Sequence, residues 1–197
     1  MLIYLYKEII ILGGIAVDRE HLSKKGFGTK AIHGGYKKDQ YGALATPIHQ
    51  TATFIFDSAE QGGSRFALEE EGFIYTRLGN PTNAVLEEKL AILEGGEACM
   101  SMGSGIGAIS SVLWTALKAG DHVVSAKTIY GCTYAYLNHG ISRYGVEVTF
   151  VDASDPENVR NAMRENTKVV FLETPANPTL VLSDIEAISK IAHENEN

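Results

Sequence analysis

HVVSAKTIYGCTYAYLNHGISRYGVEVTFV, residues 122–151, is the stretch on which the fold turns. It holds an apolar run at 122–125, a helical pattern at 133–144 and a second apolar run at 146–151. Two short strands joined through a helix need a crossover connection, which makes them parallel. Outward from this unit the alternation continues. Further apolar runs at 98–102 and 168–173 read as strands, and patterns at 105–118, 156–165 and 183–194 read as helices. Runs such as Val169-Val170-Phe171-Leu172 suit strands buried on both faces. The class is α/β, a mostly parallel sheet with helices on both faces.

Upstream, Asn80-Pro81-Thr82 starts a helix, with Asn as the cap and Pro at the first helical position. Val85, Leu86, Leu90 and Leu93 recur on one face, predicting a helix over 81–94 that stops at Gly95-Gly96. Residues 26–72 are Gly-rich and irregular, an extended arm with short helical turns. The first residues, MLIYLYKEIIILGGIAV, are more apolar, but Lys7 and Glu8 split them. The uninterrupted part falls short of the roughly 20 residues a membrane span needs. A small-residue site at Gly14-Ile15-Ala16 suits a signal peptide, yet Glu8 stands where a basic segment belongs. Val17 as a start translated from GTG is the other reading. Residues 1–16 are expected to be a non-native leader, 17–79 the arm, and 80–197 the α/β domain.

The 197 residues carry a net charge of −7, with 45% apolar and 21% charged side chains, the balance of a soluble globular chain. No Lys/Arg run offers a footprint for nucleic acid. Cys99 and Cys132 are too few for a disulfide scaffold, and no Cys/His spacing suggests a metal. A reducing cytoplasm is the default compartment.

Parallel sheets bind ligands at the carboxyl ends of their strands. Gly103-Ser104-Gly105-Ile106-Gly107 lies between a strand and a helix, where backbone N–H groups cradle an anion or allow tight packing. Gly103-x-Gly105-x-x-Ala108 also fits a dinucleotide fingerprint, but the next strand ends in Ser125-Ala126-Lys127 without the acidic residue required. Tyr130 can stack on a planar ligand and move a proton, or serve as a core-edge ring. Cys132 is a substrate neighbour, a nucleophile or a small filler. The two prolines of Glu173-Thr174-Pro175-Ala176-Asn177-Pro178 force an extended turn that aims Glu173 and Asn177 outward, or merely connect strand to helix. Tyr75-Thr76-Arg77 offers a phosphate-binding guanidinium and a hydroxyl. Met100 and Met102 read as strand core, and His33, His49 and His139 as structural.

Together, Tyr75-x-Arg77 before Asn80-Pro81-Thr82, Gly103-Ser104-Gly105-Ile106-Gly107-Ala108, Tyr130-Gly131-Cys132-Thr133 and Pro175-Ala176-Asn177-Pro178 resemble the Cys/Met-metabolism family of pyridoxal-phosphate enzymes, from about Gly26 onward. The resemblance implies a partial large domain of fold-type I. It implies that Tyr75 and Arg77 hold the cofactor phosphate of an adjacent subunit, and that Ser104 with the N–H groups of Gly105 and Ile106 holds the phosphate of their own. Position 106 is often Met in the family, and a backbone donor tolerates Ile. Tyr130 would stack on the pyridine ring and pass a proton to a leaving thiol. Cys132 would line the substrate pocket, and Asn177 with Glu173 would flank the phenolic oxygen. The glycine loop becomes a phosphate cup.

Cysteine at 132 is similar to the methionine-cleaving members, because cystathionine enzymes usually carry glycine there. The implied reaction is α,γ-elimination of L-methionine to methanethiol, 2-oxobutanoate and ammonia, with cystathionine cleavage and O-acetylhomoserine sulfhydrylation as alternatives. The resemblance also implies a homo-oligomer, a dimer of dimers. No matched lysine joins the cofactor covalently, since Lys127 reads as a loop residue. The aspartate for the pyridine nitrogen and the arginine for the substrate carboxylate are likewise unmatched. The chain alone is therefore expected to be inactive, or a non-catalytic fragment.

Overall fold

A computed structural model describes residues 19–36 and 38–194, so the expected leader lies outside the described residues. The chain divides into two compact units, one within Lys7–Ser101 and one within Met102–Asn197. The division places the 81–94 helix with the arm.

In the first unit, α1 (Arg19–Ser23), α2 (Phe27–His33) and α3 (Ala59–Phe66) are short, and α4 (Pro81–Glu94) is the long element. Asn80 accepts a hydrogen bond from the Thr82 N–H, Pro81 opens the helix, and Gly95 closes it at φ 67°. Each signal is local, and both boundaries fall where the sequence predicts them. Gly35, at φ 72°, lies so close to α4 that a Cβ would sit 2.2 Å from the Val85 carbonyl oxygen. Only glycine lets the chain after α2 lie there. Arg19 grips the same stretch of α4, donating to both Glu88 carboxylate oxygens at 2.6 and 2.5 Å.

The second unit runs α5 (Gly105–Ala116), β1 (His122–Ala126), α6 (Gly131–Ala135), a π-helical turn at Tyr136–Gly140, a 3-10 turn at Ile141–Tyr144, β2 (Glu147–Val151), α7 (Pro156–Ala162), β3 (Thr167–Phe171) and α8 (Ile185–Glu194). The sheet is parallel with order β2-β1-β3. Every residue of β1 is buried. Successive side chains point to opposite faces, so both faces of the central strand are covered. Leu113, Leu137, Val159, Ile188 and Ile191 share its core with Val123 and Val124.

Buried His122, at the amino end of β1, ties that strand to both of its neighbours. Its Nδ1 lies 2.8 Å from Thr167 Oγ1 on β3 and its Nε2 2.8 Å from Thr149 Oγ1 on β2. Desolvation, then the charge of Arg164, pushes its pKa below the ordinary imidazole value, against the opposing pull of Glu147.

Two expectations are corrected. Residues 98–102 form no strand: Ser101 directs its N–H and hydroxyl to Glu87 Oε1, both at 2.8 Å, instead of to a ladder. Met100 and Met102, expected in a strand core, are 68% and 41% exposed. The predicted helix at 133–144 is also not one α-helix, since it passes through the π and 3-10 turns. Among the described residues no helix is long and apolar enough to cross a membrane.

Candidate functional site

At the carboxyl end of β1 the backbone continues in register for one residue, with the Lys127 N–H donating to the Val151 carbonyl at 2.8 Å. It then leaves the sheet, and Tyr130 precedes α6 with its ring 51% exposed. The Tyr130 hydroxyl is pushed above the usual phenol pKa, first by its hydrogen bond with the Cys132 side chain and then by the Cys132 charge. The phenol therefore keeps its proton at neutral pH and can act as an acid. Cys132 is exposed and unpaired with any cysteine.

The corresponding end of β3 leads into Glu173, whose carboxylate reaches both loops. Oε2 accepts the Tyr130 N–H at 2.8 Å, and Oε1 accepts the Asn177 N–H at 3.3 Å. Tyr130, Glu173 and Asn177 are thus brought together as the sequence implies, but Glu173 spends its oxygens on backbone. The side chain of Asn177 is exposed beside it.

The glycine loop ends in Ser104, which caps α5 by accepting the Gly107 N–H at 3.1 Å. The Ala108 N–H goes to the Ser104 carbonyl at 3.0 Å. Of the four first-turn donors that a helix leaves free, those of Gly105 and Ile106 remain open. Ser104 and Gly105 are exposed, and no atom lies within 4 Å of a Cβ built on Gly105. Helix α5 packs against α6, which places this donor set in the same unit as Tyr130 and Cys132.

In the other unit, residues 52–54 pair with 74–76 around a single antiparallel bridge, Thr53 to Tyr75. Buried Asn80 fixes the following turn, donating to the His49 carbonyl at 3.0 Å and to Thr76 Oγ1 at 3.1 Å. Tyr75 and Arg77 flank an open cleft of about 620 Å³ with Ile48, Thr51 and Asn80. The Arg77 guanidinium lies 5.2 Å from the centroid of the Tyr75 ring. No carboxylate among the described residues pairs with Arg77, so its charge is available to an anion.

Sequence reasoning named Asn80 only as a cap and did not foresee its second task. It also missed a charge pair beside the site. Lys127 Nζ lies 2.8 Å from Asp152 Oδ2, and this bond, with those from Ser154, holds the Asp152 carboxyl down at about 2. Lys127 is accordingly an engaged loop residue.

The donor set fits pyridoxal phosphate. Two open helix-terminal N–H groups and the Ser104 hydroxyl proton suit a phosphate dianion. An exposed phenol at a strand end suits a stacked ring, and the free Asn177 amide suits its phenolic oxygen.

The family model for the Cys/Met metabolism PLP-dependent enzyme matches residues 28–197. The chain is 67% identical over 177 residues to the L-methionine gamma-lyase of Treponema denticola, covering 90% of this chain and 44% of that protein. It is 63% identical to the L-methionine gamma-lyase of Porphyromonas gingivalis, covering 91% and 45%. The O-acetyl-L-homoserine sulfhydrylase of Corynebacterium glutamicum is 41% identical, with coverages of 90% and 41%. Among solved structures, the O-acetylhomoserine (thiol)-lyase of Campylobacter jejuni, which carries N'-pyridoxyl-lysine-5'-monophosphate, superposes with a TM-score of 0.80 at 34% identity over 87% of this chain and 42% of that one. The chain thus spans less than half the length of the relatives it matches. With the family model matching residues 28–197, the chain belongs to the Cys/Met metabolism family of PLP-dependent enzymes.

Proposed function

We propose that these residues serve the α,γ-elimination of L-methionine, in which methionine and water give methanethiol, 2-oxobutanoate and ammonia. The observation that carries this reading is the placement of an exposed phenol, Tyr130, in the loop after β1, with the exposed thiol of Cys132 two residues on in α6. Relatives named L-methionine gamma-lyase at 63–68% identity support it over the sulfhydrylase at 41%.

Pyridoxal phosphate, when bound, supplies the electron sink that lets protons leave the substrate carbons. The protein's own groups bind and place it. Ser104 and the N–H groups of Gly105 and Ile106 hold the phosphate of the same subunit, while Tyr75 and Arg77 hold that of an adjacent one. Tyr130 covers the ring and gives its proton to the departing sulfur. Cys132 borders the side chain of the substrate, and Asn177 faces the ring oxygen. Assembly is as a dimer of dimers, and the two free cysteines fit a reducing cytoplasm.

No lysine among these residues matches the one that joins the cofactor, so the 197-residue chain alone does not complete the reaction. The test is methanethiol release from L-methionine by the purified chain, alone and co-expressed with the remaining carboxyl-terminal portion of the Treponema denticola relative. Activity only in the combined sample, lost in Tyr130→Phe, is the expected result. Release by the chain alone refutes its inactivity. A combined sample that instead joins O-acetylhomoserine with sulfide favours the sulfhydrylase reading, and Cys132→Gly probes which substrate the pocket prefers.

A further inference from the structure

Glu173 sits at the end of β3 beside groups assigned to the cofactor, and a carboxylate there invites a role as a ligand. The hydrogen bonds give it another. Its two oxygens accept two backbone N–H groups, one 43 residues away in the loop after β1 and one four residues on in its own loop. A backbone amide left unpaired at a loop costs free energy, and an ionised acceptor makes the stronger bond.

We propose that Glu173 is a positioning residue that fixes the Tyr130 loop against the Asn177 loop, and so sets the spacing between the stacking phenol and the ring-oxygen amide. The assignment rests on the reading of the site given above. The loop after β1 is held to the sheet at Lys127, but from there to Tyr130, among the described residues, only Glu173 bonds it to the loop after β3. The carboxylate is suited to this task by having acceptors on both oxygens. A glutamine would present one acceptor and one donor, and its NH₂ would face an N–H. Aspartate is shorter by one methylene and cannot span the same two amides from the same backbone.

The experiment compares the 197-residue chain with Glu173→Gln, Glu173→Asp and Glu173→Ala by amide hydrogen exchange read residue by residue. Binding of pyridoxamine 5'-phosphate is measured by calorimetry on the same samples. In the parent chain the Tyr130 and Asn177 amides are protected. Glu173→Gln and Glu173→Asp each release one of the two by roughly tenfold, and Glu173→Ala releases both. The core amides of Val123 and Leu137 stay unchanged in all four, which a general loss of structure would not allow. Protection at Tyr130 and Asn177 that survives Glu173→Ala overturns the proposal. Loss of ligand binding in Glu173→Gln without any change in exchange also overturns it, because that pattern belongs to a direct ligand. A parent chain with protected amides that binds no pyridoxamine 5'-phosphate counts against the reading of the site while leaving the exchange result to judge Glu173.

Discussion

The two units of this chain use apolar residues in opposite ways. In the sheet unit, Val123, Val124 and Leu137 have no exposed surface, and a polar residue, His122, is buried with both ring nitrogens bonded. In the arm unit, Leu44 and Ile55 are each 94% exposed, and order comes from polar ties such as Asn80 and the Arg19–Glu88 pair. One region closes a core upon itself, although Leu180, Leu182 and Ile185 near its carboxyl end stay exposed. The other has little such core and presents its largest apolar side chains outward. The division also separates the residues proposed for the site, since the Ser104 loop and Tyr130 stand on the sheet unit and Tyr75 and Arg77 on the arm unit.

The sharpest way to break this comparison is to truncate one leucine in each region. Leu137→Ala removes a side chain with no exposure from the core and should cost about 3 kcal/mol. Leu44→Ala should change stability by less than about 0.5 kcal/mol. Urea denaturation of both variants gives the answer, and an equal cost would mean that the arm is covered in solution. A smaller effect is expected at Asn80, which the arm uses in place of a core. Asn80→Ala loses the cap of α4 and the bonds to the His49 carbonyl and to Thr76 Oγ1, and should cost about 1–2 kcal/mol. Hydrogen exchange should show the first turn of α4 opening while β1 stays protected.

What could be read in the sequence follows the same divide between local and distant causes. The limits of α4 were legible because Asn80, Pro81 and Gly95 act within one turn of the backbone. The three strands were legible within two residues because each is a short apolar run bounded by turns. The run at 98–102 looked the same, but a strand exists only where another pairs with it, and here Glu87 takes the Ser101 N–H instead. The break at 136–140 could not be read either. A Cβ at Gly140 would lie 2.9 Å from the Tyr136 ring, a contact set by how the turn packs. At the site, residue types were legible and partners were not. Glu173 looks like a ligand in sequence because its actual partner, the Tyr130 amide, is 43 residues away.

The buried histidine sharpens the contrast through pH. Its folded-state pKa lies below that of an unfolded chain, about 6.5. As pH falls past that value the unfolded state takes up the proton first, so stability is present above it and is lost below it. The sheet unit should therefore weaken between pH 7 and 5, with a flatter slope in His122→Gln, when denaturation midpoints are compared across that range. Parallel slopes would mean that the ring accepts its proton in place, between Arg164 and Glu147.

The smallest effect belongs to the exposed pair at the strand ends. Lys127 first, and then the hydroxyl and N–H of Ser154, together lower the Asp152 carboxyl from an ordinary value of 3.8 to about 2. A depressed carboxyl stabilises the fold above its unfolded pKa and loses that contribution as pH falls through the folded one, here between about 3.8 and 2. Lys127→Met should raise the Asp152 pKa part of the way back, because Ser154 remains, and by the same linkage should lower the neutral-pH denaturation midpoint only slightly, as expected for an exposed ion pair. Carbon-detected titration of the Asp152 carboxyl reads the shift directly. An unmoved pKa would show that Ser154 alone holds the carboxylate, and would leave Lys127 as a free cation at the carboxyl edge of the sheet, one turn of chain before Tyr130.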